Sequence, residues 1–440
     1  MLTTVVQWLF LATATGTIVG TGTSLFLHGL FFFTGKTATA PLWLQMALLP
    51  AGGLLNGLLL HYGYRLNRSG LGDSVIAAVH KQSGRIPFST IAIKPVAAII
   101  TLACGGSAGK EGPCAHIGGT LASALAGTFR LNAELRKRLV ACGVSAGFAS
   151  VFGTPIAGAI YGVEVLAIGY VRQDFLLPAV VAGVSSFQIS KFWGVGYQYY
   201  RLGSLPAFSE ILFFKMILIG IACGIVAGLF VEAISLARRL FSRLRTRFGL
   251  WPPLLPLLGG VLLAALIIVI PRDYLGLSLP LMDRALHGEA MPYLGFLWKT
   301  LLVAITLGSG FYGGIVTPQF VIGAVAGNAL AHLLGIPPAL GAAAGLTAVV
   351  AAASNTPIAA ILMGVELFGG TAGTIYAAGA AIAAYVIIGH RSVYPDQVVH
   401  YAKSSWLHYR SGRALGEDKI HLSYGLLKGL IRLRSNRERR

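Results

Sequence analysis

Two stretches decide the architecture of this 440-residue chain: Thr154-Pro-Ile-Ala-Gly-Ala-Ile-Tyr-Gly-Val-Glu164 and Thr356-Pro-Ile-Ala-Ala-Ile-Leu-Met-Gly-Val-Glu366. They agree at seven of eleven positions, at an offset of 202. Upstream, Gly109-Lys-Glu-Gly-Pro113 aligns with Gly314-Ile-Val-Thr-Pro318 at an offset of 205. Ile117-Gly118 then matches Ile322-Gly323, and Ala124-Leu125 matches Ala329-Leu330. Two spaced blocks in the same order mark a duplication. We read halves of 1–205 and 206–400, followed by a basic tail of 401–440.

The solvent of these halves follows from composition. Hydrophobic residues make up 55% of the chain and charged residues only 11%, against roughly 25% charged in an ordinary soluble chain. That excludes a water-soluble enzyme of normal surface and excludes disorder. Hydropathy divides the chain into about eleven apolar segments: 3–33, 41–60, 92–127, 139–169, 175–194, 211–236, 253–271, 293–307, 316–335, 338–369 and 371–389. The uncharged run from Met1 through Phe33 is too long for a signal peptide and reads as the first membrane helix. The expected fold is an all-α polytopic membrane protein. Cys104, Cys114, Cys142 and Cys223 are scattered without metal-ligand spacing and read as small buried hydrophobes. Neither metal nor cofactor is expected.

Charge gives orientation rather than substrate. Lys and Arg number 34 against 15 Asp and Glu, a net charge of +19. Arg65, Arg68, Lys81, Arg85 and Lys94 lie between the second and third segments, and Arg238, Arg239, Arg243, Arg245 and Arg247 follow the sixth. From Lys403 to Arg440 there are ten cations against three acids. Cations gather on the cytoplasmic side of membrane proteins, so a cytoplasmic C-terminus in the cell membrane is expected, with the tail against anionic lipid and no nucleic-acid partner.

Function should sit where apolar segments break. Gly105–Pro113, Gly308–Pro318 and the pairs Thr154-Pro155 and Thr356-Pro357 interrupt helices, which a membrane tolerates only against protein or a watery cavity. Of the acids, only Glu111, Glu164, Glu232 and Glu366 fall within apolar segments, where each is costly. Glu164 and Glu366 occupy equivalent positions at the ends of short half-helices and read as structural acids bonding backbone at the repeat interface. Glu111 differs. A helix starting at Glu111–Pro113, flanked by the bare backbone of Gly109 and Gly112, presents unpaired N–H groups and its positive dipole end. Gly313-Gly314-Ile315-Val316-Thr317-Pro318 does the same from the other half. Two inverted half-helices aimed at one midplane point cradle a small anion. Ionised, Glu111 can occupy the anion's place; protonated, it swings away, so one residue gates and carries protons. His116 reads as a pore-lining or packed polar residue. Gly143–Gly147 and Gly308–Gly313 fit hydrolase and dinucleotide motifs but lack the strands those require. No enzymatic constellation is found.

Gly109–Pro113 and Gly313–Pro318 resemble the Gly-x-Glu-Gly-Pro and Gly-Gly-Ile-x-x-Pro motifs of the CLC family of chloride channels and chloride/proton exchangers. The likeness spans about residues 5 to 400. It implies two inverted-topology repeats, a homodimer and one anion pathway per subunit. It also implies Glu111 as the external gate, the amides of Ile315 and Val316 as holders of the central anion, and the Tyr394 hydroxyl reaching that anion. Three departures stand out. Gly70-Leu71-Gly72-Asp73-Ser74 matches the family's Gly-Ser-Gly-Ile-Pro segment, so Leu71 replaces the anion-coordinating serine and Ser69 or Ser74 is left to substitute. Val165 stands where many exchangers carry an inner proton-relay glutamate. Val316-Thr317 resembles the fluoride-exporting branch, although that branch carries Glu where this chain has Ile315. The expectation is chloride transport, as a channel or a chloride/proton antiporter, with fluoride/proton antiport as the alternative.

Overall fold

In the computed structural model, residues 2–66, 74–202, 208–370, 373–404, 407–408, 411–417 and 421–422 are described. Among these residues, eight α-helices fall in the first half: α1 (Leu2–Ala38), α2 (Leu42–Leu66), α3 (Val75–Lys81), α4 (Thr90–Ala103), α5 (Glu111–Thr128), α6 (Ala133–Phe152), α7 (Pro155–Glu164) and α8 (Gln173–Phe192). Eight more fall in the second: α9 (Glu210–Phe248), α10 (Leu254–Leu266), α11 (Leu279–Leu286), α12 (Gly295–Ser309), α13 (Val316–Leu334), α14 (Pro338–Ala353), α15 (Pro357–Phe368) and α16 (Gly373–Ile387). Several apolar segments are therefore two helices each. The run 92–127 breaks at Cys104–Lys110, 139–169 at Gly153-Thr154, and 338–369 at Ser354–Thr356, where glycine or a Thr-Pro step ends the helical backbone.

Packing repeats with the sequence. In the first half α5 packs on α6, α1 on α8, and α7 on both α6 and α8; in the second, α13 packs on α14, α9 on α16, and α15 on both α14 and α16. The halves meet chiefly through equivalent helices, α2 with α10, α5 with α13 and α7 with α15. Contacts between equivalents are what a twofold axis produces. The two long helices, α1 with 37 residues and α9 with 39, rise about 55–60 Å at about 1.5 Å per residue. That exceeds a hydrocarbon core of about 30 Å, so each is long enough to span it with some tilt or with an end beyond it, and α9 ends in the cluster Arg238–Arg247. Close helix contact is made at glycine: a Cβ on Gly118 would strike the Gly143 carbonyl, and one on Gly323 the Gly345 carbonyl.

The repeat motif itself shows the inversion. Glu164, ending α7, accepts hydrogen bonds from the amides of Ile358 (3.0 Å) and Ala359 (2.8 Å), at the start of α15. Glu366, in the last turn of α15, accepts from Ile156 (3.0 Å) and Ala157 (2.8 Å), at the start of α7. Each short helix thus caps the other, and the two run antiparallel. The residue pairs exchange at the same offset of 202 that relates the motifs. Pro155 and Pro357 open both helices, so the second and third positions carry the first free amides. We expect Glu164→Ala, which leaves two amides without an acceptor at about 1–3 kcal/mol each, to destabilise the protein by about 2–6 kcal/mol. Thermal unfolding in detergent checks this; a midpoint within a degree of the parent would contradict it.

One assignment changes. Lys94 is no loop cation: it lies inside α4 and is 3% exposed. Of the expected tail, only short pieces are described. β1 (Ala167–Ile168) pairs in parallel with β2 (Val398–Val399). β3 (Leu407–His408) and β5 (His421–Leu422) pair with each other, and β4 (Arg413–Ala414) adds to β2 antiparallel.

Candidate anion pathway

The two glycine loops meet at one point. The amide of Gly109 donates to the carbonyl of Gly314 at 2.7 Å, and the amide of Gly314 donates to the carbonyl of Gly109 at 2.7 Å. These residues are repeat mates, so the bond pair straddles the twofold axis. The loop amides are fixed by side chains behind them. Thr306 Oγ1 accepts from Ser107 N at 3.1 Å, and Asn56 Oδ1 accepts from Tyr312 N at 3.2 Å. Ser107 and Tyr312 are again mates at the offset of 205.

From this junction α5 begins at Glu111 and α13 at Val316. Each helix has proline at its third position, Pro113 and Pro318, so the free donors are the first two amides of each. The Glu111 carboxylate is wholly buried and lies on the start of α13: Oε1 accepts from Thr317 N at 2.9 Å and Oε2 from Val316 N at 3.3 Å. An anionic group on helix N-terminal amides is the arrangement that both the dipole and the unpaired donors favour. The donors to the carboxylate are Val316 and Thr317; Ile315, expected with Val316 to hold the central anion, stands next to them in the chain. Ile315 is the residue before the helix, so its amide precedes the first turn. The bareness of Gly109 and Gly314 is required here. A Cβ on either would strike Glu111 Oε2, and one on Gly314 would also lie 2.8 Å from the amides of Glu111 and Gly112. A Cβ on Gly112 would sit 3.1 Å from Gly314 Cα. All four free amides therefore converge within a few ångströms.

Beneath this cradle opens a cavity of about 760 Å³. Gly112, Gly313 and Ile315, Ala115 and His116 of α5, Tyr312, Tyr394, Ser74 and Asp396 line it, with the exposed Lys81 and Arg238 at its mouth. Tyr394 lies on this cavity; its hydroxyl is 3.2 Å from that of Tyr161, which donates to Ser354 Oγ at 2.8 Å. His116 Nε2 is 2.9 Å from Thr90 Oγ1. Val165 also lines the cavity. Leu71 and Ser69 lie outside the described residues. Ser74 caps α3, its Oγ accepting from Ile76 N at 3.1 Å and Ala77 N at 3.4 Å. Glu232 lies at the surface, 2.9 Å from Arg391 Nε.

The C-terminal segment returns to this mouth. Leu415 N donates to Gln397 O at 2.9 Å, Gly416 N to Pro395 O at 2.8 Å, and Glu417 pairs with Lys81 at the end of α3. Lys81 holds the Glu417 carboxyl below the usual carboxylate range, and Glu417 raises Lys81 in turn. A lowered carboxyl contributes fully above its unfolded value and loses its contribution as pH falls through the folded one. We therefore expect Glu417→Gln to speed hydrogen exchange at Leu415 and Gly416, after correction for intrinsic rates. Acidification through the carboxylate range should do the same to the parent, and identical protection in the variant at neutral pH would contradict it.

Sequence reasoning missed Thr317 as a donor and missed two buried cations, Lys94 in α4 and Lys299 in α12. Their signal was present: the two lysines are mates at the offset of 205.

A membrane-embedded pair of inverted repeats, meeting at paired helix N-termini above a wide cavity, defines the class: an anion channel or antiporter. The profile of the family described as "Voltage gated chloride channel" matches residues 52–389. A protein named "Chloride/fluoride channel protein" from Pseudomonas syringae pv. tomato is 36% identical over 91% of this chain and 88% of its own length. Among solved structures, a CLC-type fluoride/proton antiporter superposes with a TM-score of 0.83 at 30% identity, covering 90% of this chain and 98% of its own. A slow cyanobacterial Cl⁻/H⁺ antiporter gives 0.70 at 21% identity, over 87% and 94%, a likeness of fold. The chain belongs to the CLC family of anion channels and antiporters.

Proposed function

We propose that the chain exchanges a small halide for protons across the cell membrane, with the cavity and C-terminal segment facing the cytoplasm and one pathway in each subunit of a homodimer. The observation that carries this reading is the Glu111 carboxylate on the Val316 and Thr317 amides. A carboxylate and a halide compete for those donors. The site empties for a halide when Glu111 leaves, and protonation removes the charge that held it there. Halide arrival and proton uptake are then linked by a single group. Val165, in place of an inner acid, leaves Glu111 as the protonatable acid on the path from the cavity to the cradle.

Chloride is the cargo that the motifs imply. Fluoride is a second reading, favoured by the 30% identity and TM-score of 0.83 to a fluoride/proton antiporter. Proteoliposomes loaded in turn with chloride, fluoride and sulfate, and opened with a potassium ionophore, separate these. Release of chloride or fluoride ahead of sulfate supports the proposal and ranks the two; no anion release at all rejects it.

A further inference from the structure

Helix α12 carries a charge that the pathway above does not use. Lys299 is fully buried. Its Nζ donates to Gly276 O at 2.7 Å, Ser107 Oγ at 2.8 Å, Ser278 Oγ at 2.8 Å and Tyr274 O at 3.1 Å. All four partners are neutral oxygens, and Lys299 belongs to none of the ion pairs found among the described residues. The ammonium's hydrogen bonds are satisfied, yet its charge is not balanced. A buried charge without a counter-ion is costly to hold and leaves positive potential in its surroundings.

Its partners say where that potential acts. Ser107 lies two residues before Gly109, which pairs with Gly314 at the cradle, and the Ser107 amide is held by Thr306 of the same α12. Gly276 and Ser278 line a separate depression of about 370 Å³, on which Gly105 and Arg272 also lie. Lys299 therefore ties the wall of that depression to the cradle loop. At the lip, Asp273 is engaged by Arg284, whereas Arg272 enters no ion pair among the described residues.

The repeat places the depression opposite the large cavity. Lys94, the mate of Lys299, sits 5.7 Å from the ring of Tyr312, which lines the large cavity. Tyr312 is the mate of Ser107. Each half thus sends a buried lysine to the other half's glycine loop, and inversion sets the two on opposite approaches. The depression also joins the end of α1 and the start of α2 to the linker before α11; residues 35–41 and 273–283 carry a single cation, Lys36, as stretches on the outer side do.

We propose that this depression is the external entry site for the halide, and that the buried Lys299 ammonium is the charge that loads it, with Arg272 adding a screened charge at the rim. The inference rests on halide transport through the Glu111 cradle. Neutral oxygens around the ammonium suit the role, because an acid there would cancel the field that an arriving anion feels.

The test uses the full chain in planar bilayers, with halide varied on one side at a time. Lys299→Met should raise KM for halide on the face opposite the C-terminal segment roughly ten-fold, the effect of one unit charge about 10 Å away at an effective dielectric of about 20. KM from the other face should stay within about two-fold, which loss of a mere brace would not produce. Should Lys299→Met fail to fold, Arg272→Gln carries the test. It should raise the same one-sided KM by about two- to three-fold at low salt, and salt near 1 M should erase the difference. Equal KM shifts from both faces, or no shift in either variant, overturn the proposal while halide transport stands. Absence of halide current in the parent chain overturns the transport reading itself.

Discussion

Glu111→Gln ends proton movement while halide movement continues, now without pH dependence. The carboxylate accepts two backbone amides at the start of α13, and a charged acceptor there is worth about 1.5–3 kcal/mol per bond against about 0.5–1.5 for a neutral one. Glutamine keeps the length and polarity of the protonated acid but cannot ionise. It therefore imitates the released gate. Two weakened bonds shift competition toward the halide by roughly 10–100-fold, at about 1.4 kcal/mol per factor of ten. The proton flux driven by a halide gradient should fall to background, and acidification should no longer alter halide flux. Persistence of proton movement in the variant would remove Glu111 from the role.

The second large effect comes from a single methyl group. Gly314→Ala places a Cβ against Glu111 Oε2 and 2.8 Å from the amides of Glu111 and Gly112. The carboxylate can rotate away, but the two amides are backbone at the start of α5 and hold the other half of the cradle. Both halide and proton flux should fall by more than about ten-fold, because overpacking of this kind costs about 1–3 kcal/mol and displaces the donors themselves. Gly109→Ala is the informative partner. The three atoms nearest its Cβ all belong to the Glu111 carboxyl group, a movable side-chain end. Coupling should suffer there more than halide throughput. Equal flux in Gly314→Ala and the parent would show that the amides do not bind the anion.

The repeat was readable because both of its sides are under the same constraint. Glu164 and Glu366 cap each other's helices, so neither motif could change without orphaning amides in the other half. Glu111 stood out for a different reason: an acid in an apolar run needs a partner, and glycines on both sides pointed to backbone as that partner. Thr317 was not readable, since which amides are free depends on where α13 takes its first helical turn. Lys94 and Lys299 were obscured by a rule that sorts cations to loops. That rule averages over windows, and a lone lysine at the edge of a basic stretch, or within a strongly apolar one, barely moves the average. Only the spacing between the two lysines separates them from topology markers.

Coupling is the claim on which the remaining account turns, and one recording tests it. Proteoliposomes loaded with halide in a weakly buffered, halide-poor medium are monitored by a halide electrode and a pH electrode together. As halide leaves, protons should enter against no imposed pH gradient, the medium should turn alkaline, and a protonophore should collapse the change. Halide release with a flat pH trace would make the chain a channel and contradict exchange through Glu111.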